Sequence, residues 1–198
     1  LFIRFDDFVS DQVKDLLKKM QDLMNQMNKE SVQQAMDKFK MNAEEINKQL
    51  DQQLELYKLL EFEKKYQDII DQTRTLSEEQ KQLSQQVEQK AISKEELAKK
   101  QDEINQKFEA LQKEMNQLQQ MNKGMEDPIK MGDRKAQQQA ISNDLNDSKQ
   151  QLNKNNRSKA KESQQSAAEK MNQMADEMEQ EKNQQENEWK TDRWDRYR

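Results

Sequence analysis

The chain has 198 residues, of which 31% are apolar, 6% aromatic and 37% charged, with a net charge of −5. So few apolar side chains argue against an ordinary compact globular core and leave long helices that each bury a thin seam. One proline, two glycines and abundant glutamine favour helix over disorder.

Residues 1–9 are the most apolar stretch. Phe2, Phe5 and Phe8 are candidate partner-binding residues there. Covering a neighbouring hairpin is the stronger expectation, because exposed apolar patches are uncommon on soluble proteins. From Ser10, Val13, Leu16, Met20, Leu23 and Met27 recur at heptad spacing and predict a helix that breaks at residues 28–30. Ser31-Val32-Gln33-Gln34 opens a short helix with Val32, Ala35, Met36 and Phe39 on one face, and a kink or short break is expected at Met41-Asn42.

The organising stretch is residues 42–124. Asn42-Ala43-Glu44-Glu45 is a capping box for a long helix. Its first stripe, Ala43, Ile46, Leu50, Leu54 and Tyr57, is expected to pack on residues 5–40. Its second is a three-four seam: Leu59, Phe62, Tyr66, Ile69, Thr73, Leu76, Gln80, Leu83 and Val87. An apolar waist is expected where the two overlap, at Leu54, Leu56, Tyr57, Leu59, Leu60 and Phe62. A turn follows at residues 89–92. Ser93-Lys94-Glu95-Glu96 is a further capping box, with Ile92 and Leu97 as a hydrophobic staple. The return helix carries Leu97, Gln101, Ile104, Phe108, Leu111, Met115 and Leu118. It ends at Lys123-Gly124, where a left-handed glycine is expected. A short connection forces an antiparallel pair, placing the far end of the return helix beside Leu59 or Leu60.

Residues 125–132, with Pro128 and Gly132, read as a linker. Residues 133–188 read as a second, weaker hairpin. Ala136, Ala140, Ile141, Leu145 and Leu152 lie on its first helix and Ala160, Ala167, Met171, Met174 and Met178 on its second, with a polar turn at residues 153–158. Packing of this hairpin on the first is not readable from the pattern. Residues 189–198 form an aromatic and basic tail in which Trp189, Trp194 and Tyr197 are the remaining candidate partner-binding residues. Packing of these aromatics on the bundle is the stronger expectation. The fold class is therefore all-α: elongated antiparallel hairpins in a coiled-coil bundle.

Catalytic chemistry is hard to assemble from this chain. Histidine is absent, which removes Ser-His-Asp triads and the Glu-x-x-His pair of di-iron bundles. Cysteine is absent too, so no thiolate chemistry exists and the redox compartment is unreadable. Neither glycine begins a phosphate-cradling loop. Met171, Met174 and Met178 share a face, as do Met20, Met24 and Met27. Thioethers suit Cu(I), but methionine more often fills helical cores. No cofactor, no metal and no enzymatic activity are expected. Lys and Arg are interspersed with Asp and Glu rather than gathered into a basic stripe, so no nucleic-acid partner is expected. No apolar run is long enough to span a bilayer. The chain begins at Leu1 rather than Met and is expected to be a piece of a longer protein.

Residues 41–51 (Met-Asn-Ala-Glu-Glu-Ile-Asn-Lys-Gln-Leu-Asp), with Leu54-Glu55-Leu56-Tyr57-Lys58, and the run from Lys159 to Met171 resemble the large membrane-anchored coiled-coil envelope proteins of Bacteroidota, a family of unknown function. The resemblance covers most of residues 10–180. It implies membrane anchorage through parts outside this chain and exposure on the periplasmic side of the cell envelope. It brings no catalytic residues. The expected function is a non-catalytic scaffold or partner-binding module whose partners are proteins, a second copy among them. The alternative is a coiled-coil segment of a DNA- or chromosome-associated protein, which only the Trp/Arg tail favours.

Overall fold

The computed structural model describes residues 29–89 and 92–192, with side-chain surroundings defined for most positions from Glu45 to Gln184. Among them are four helices and no strand: α1 (Lys29–Gln89), α2 (Lys94–Lys123), α3 (Lys135–Asn153) and α4 (Arg157–Asp192). The fold is all-α. The chain divides into two units, Leu1–Leu54 and Glu55–Arg198.

Helix α1 is unbroken from Lys29, so no break interrupts it at Met41-Asn42. The physical reason is the weakness of a capping signal. An Asn N-cap is worth about 1 kcal/mol, whereas residues 29–89 contain no glycine or proline to stop a helix and are rich in Gln, Glu, Lys and Leu. In the first unit, Leu50 and Leu54 are exposed rather than covered. Of residues 5–40, their expected cover, 5–28 lie outside the described residues and 29–40 are described by backbone alone.

In the second unit, cross-helix bonds fix the direction of every neighbour. Lys65 donates to Gln117, Lys107 to Glu79 and Lys100 to Gln86, so α1 and α2 run antiparallel. Gln112 donates to Ser142, and Lys149 pairs with Asp102 between α2 and α3. Gln137 donates to Glu177, and Ser166 to Asp144, between α3 and α4. Arg74 meets Asp176, and Lys161 meets Glu88, between α4 and α1. Each helix thus has two antiparallel neighbours, and the two hairpins close one up-down-up-down four-helix bundle. The far end of α2 lies within a turn of its expected position: Lys58 donates to the Gly124 carbonyl and the Glu126 amide to Glu55.

The buried faces follow from this arrangement. Helices α2 and α3 bury residues strictly at alternating steps of three and four: Leu97 to Asn122, and Gln138 to Leu152. Helices α1 and α4 bury an extra flanking row, Ile70, Ser77 and Ser84 on one and Ala168 and Ala175 on the other. Small residues in that row let the two backbones approach, and Ser77 Oγ donates to the Ala168 carbonyl at 2.7 Å. All nine positions of the seam predicted from Leu59 to Val87 are buried. Within the expected waist, Leu59 and Phe62 face the core, whereas Tyr57 and Leu60 point outward, because one helix cannot bury its whole circumference against two neighbours. Phe62 and Tyr66 pack ring to ring at 5.7 Å. Each large apolar side chain buried in this way contributes about 1.5–3 kcal/mol.

The helix ends show which local signals were used. Ser93 caps α2 by accepting from the Glu96 amide, as its capping box predicts. Gly124 does not take the left-handed conformation expected of it: its φ is −87°, and its amide bonds back to Gln120 and Met121. Among the described residues, it is Asn155 that is left-handed, with φ 57°. Its amide reaches Leu152 O while the Asn156 amide reaches Gln151 O, the paired bonds of a Schellman turn between α3 and α4. The connection 124–134 is anchored rather than loose. Met125 and Ile129 are buried, and the Asn122 side chain exchanges two 2.6 Å bonds with the Ile129 backbone.

Candidate functional site

The most unusual chemistry in the bundle lies in its core. The bonds above set a register in which residues from all four helices fall at common levels. At one level sit Gln80, Gln101, Ser148 and Gln164, each 1% exposed or less. Gln101 is the hub. Its carbonyl oxygen accepts from Gln80 Nε2 at 3.1 Å, Ser148 Oγ at 2.8 Å and Gln164 Nε2 at 2.9 Å. Its own amide donates to Gln80 at 2.8 Å and to Asn105 at 3.0 Å. Gln164 Oε1 is left without a hydrogen-bond partner, a cost of about 1–3 kcal/mol for a buried acceptor. Four neutral side chains committed to one another offer a reacting group no general acid or base, so the layer organises the bundle rather than performing chemistry.

A second polar group clasps the hairpin junction. Arg134 is 6% exposed, just before α3, and its Nη2 lies 2.6 Å from Glu181 Oε2 on α4. The same oxygen accepts from Tyr66 Oη at 3.2 Å and from the Gly132 amide at 3.3 Å. Arg134 Nη1 returns to the Gly132 carbonyl. One carboxylate therefore ties α1, the connection and α4 together. Burial, with Glu181 beside it, pushes the Tyr66 hydroxyl above its ordinary value despite the opposing Arg134 charge. A Cβ at 132 would lie 2.6 Å from Glu181 Oε1, so a larger residue there would have to displace the tip of the Glu181 side chain.

The surface is a set of open grooves between helices. One of those between α1 and α2, about 490 Å³, is lined by Asp68, Asp71, Glu79 and Lys107 among others, with the Glu79–Lys107 pair at its edge. On the α4 side, Arg74 bridges Asp176 and Glu179, and that hydrogen bond holds the Glu179 carboxyl below its usual range. At the α2 end, the Glu126 amide, then Lys58, likewise lower Glu55. Among the described residues, no group of three or more His, Cys, Asp or Glu is placed to hold a metal ion. Met171, Met174 and Met178 are in the core, at most 2% exposed. Among the described residues of this unit, two large apolar side chains stay uncovered: Tyr57 at 64% and Leu60 at 48%.

With this geometry in place, the comparisons add nothing to it. No family model, curated protein or solved structure matches the chain.

Of the partner-binding residues expected from the sequence, Phe2, Phe5, Phe8, Trp194 and Tyr197 lie outside the described residues. Trp189 belongs to α4 by its backbone, and its side chain lies outside them too. The structure therefore neither gathers nor separates these six. The polar layer was partly written in the pattern, since Gln80 and Gln101 stand on the predicted seams and Ser148 and Gln164 fall three or four residues from seam neighbours. The clasp was less legible: Glu181 falls three residues after Met178 and Arg134 seven before Ile141, but the two are distant in sequence and no local signal pairs them.

Proposed function

We propose that the chain is a non-catalytic helical scaffold or partner-binding module of a larger cell-envelope protein, acting through protein contacts, a second copy of the chain among them. The observation that carries this reading is the contrast between a core filled by side chains and the uncovered Tyr57 and Leu60 on α1. Large apolar side chains left in water mark contact surfaces more often than chemistry. The placement in the envelope rests on the family resemblance of residues 41–58 and 159–171. Among the described residues, no helix is long and apolar enough to cross a membrane, so any anchorage would come from elsewhere.

A photo-crosslinking residue placed at 57 or 60 in the full-length protein in cells tests the reading. Discrete adducts, with another protein or with a second copy, are expected at these positions and not at the exposed control Glu61. Equal labelling at all three positions would sink it. Cell fractionation of the same protein tests the envelope placement separately, and recovery in the soluble cytoplasmic fraction would overturn that part alone.

A further inference from the structure

The bundle has two unlike halves. Toward the connection 124–134 the core is filled by Phe62, Tyr66, Phe108, Met171, Met174 and Met178. Among the described residues, every buried aromatic and every buried methionine lies in that half. Toward the two turns the core thins. There α4 contributes Ala160, Gln164, Ala167 and Ala168, while Ser77, Gln80 and Ser84 share the buried face of α1 with Leu76, Leu83 and Val87. Less apolar area leaves water in this half, so less free energy holds it shut.

The links along the chain are as uneven. Helix α1 joins α2 between Gln89 and Lys94, and α3 joins α4 between Asn153 and Arg157, so each of these links stays within one hairpin. The chain crosses from one hairpin to the other at the opposite end, through 124–134. That end is also where Arg134, Gly132, Tyr66 and Glu181 meet and where Asn122 grips Ile129. At the turn end the hairpins meet through weaker bonds. Arg157 reaches the Val87 and Ile92 carbonyls at 3.4 Å, and the Lys161–Glu88 and Lys149–Asp102 pairs are open to water, where such pairs contribute little. The buried bonds from Ser148 and Gln164 to Gln101 can be replaced by water once the layer is wet. Gln164 Oε1, which lacks a partner in the closed bundle, then gains one.

We propose that the bundle is a hinged jaw: the two hairpins part at the turn end as one unit, through the glutamine layer to Ala167, while the clasped junction stays shut. Weakly packed parts of a fold open in cooperative units at free energies below that of global unfolding. Here the junction half is the hinge and the turn half the mouth. Opening uncovers Leu83, Leu97 and Leu152 together with the amides of Gln80, Gln101 and Gln164.

Because the chain has no cysteine, single introduced thiols report opening cleanly. Ser84→Cys on α1 and Ala160→Cys and Ala167→Cys on α4 lie in the mouth. Thr73→Cys and Ala175→Cys lie beyond it, and all five native side chains are at most 1% exposed. Each variant of the full chain is labelled with dithiodipyridine at rising urea. The thiols at 84, 160 and 167 should react within about threefold of one another and at least about tenfold faster than those at 73 and 175. Their rates should change little at low urea, because a partial opening exposes little surface, whereas the rates at 73 and 175 should climb steeply. Where a substitution costs helicity, Val87→Cys replaces Ser84→Cys and Ala168→Cys replaces Ala167→Cys. One common rate with one steep urea dependence at all five positions would overturn the proposal, showing that the bundle opens by unfolding as a whole. Fast labelling at 84 and 160, with 167 as slow as 175, would also overturn it and reduce the motion to frayed helix ends.

Discussion

Gln80 and Gln101 exchange both of their side-chain amide bonds across the bundle core, at 3.1 and 2.8 Å. The exchange satisfies two buried amides at once, so truncating one partner costs more than truncating both. Gln101→Leu alone should destabilise the bundle by at least about 2 kcal/mol, because it strands donors on Gln80, Ser148 and Gln164. Adding Gln80→Leu should recover part of that loss. Urea denaturation of the two single variants and the double variant measures the coupling.

The contrast between Phe62 and Tyr57 should be equally plain. Phe62 is 1% exposed, and Phe62→Ala should cost about 3–5 kcal/mol. Tyr57→Ala, at an exposed site, should stay within about 0.5 kcal/mol. Thermal unfolding of the two variants separates them, and equal midpoints would contradict the assignment of faces along α1.

The approach of α1 to α4 depends on small side chains. Ala168→Leu would force extra methylenes into the contact where Ser77 reaches the Ala168 carbonyl. Overpacking of this kind costs about 1–3 kcal/mol. A lowered denaturation midpoint with full helicity at rest is the expected result. An unchanged midpoint would mean that the helices part at no cost.

The connection between the hairpins should exchange its amide protons slowly. Asn122→Ala removes both bonds to the Ile129 backbone. The Ile129 amide should then exchange markedly faster, while amides in the middle of α2 change little. Uniformly faster exchange would instead indicate global destabilisation.

Tyr66 makes stability depend on pH at the alkaline end. Its hydroxyl is held protonated above its ordinary range, chiefly by burial. A group whose folded pKa is raised contributes its full stability below the unfolded value, near 10 for tyrosine, and that contribution is lost as pH rises beyond it. Stability should therefore fall above about pH 10, and Tyr66→Phe should flatten the fall. Tyr66→Phe should be less stable than the natural chain at pH 8 and should close that gap, or reverse it, at pH 11. Denaturant midpoints at the two values give the answer, and a constant gap would exclude Tyr66 as the cause.

The heptad pattern by itself determined that the chain is helical, which stripe of α1 beyond Leu59 is buried, and where α2 begins. These properties are local: side chains three and four residues apart share a face whatever lies opposite, and Ser93 meets the Glu96 amide within a single turn. Tertiary structure alone decided that the two hairpins form one bundle, that Ser77 and Ala168 bring two helices close, and that Arg134, Gly132, Tyr66 and Glu181 meet. It also passed over local signals, running α1 through Asn42 and leaving Gly124 right-handed while Asn155 turned the chain. An apolar stripe read from the sequence does not name the helix that covers it. The bonds that do name it, from Gln101 to Gln80, Ser148 and Gln164 and from Glu181 to Arg134 and Tyr66, join residues distant in sequence.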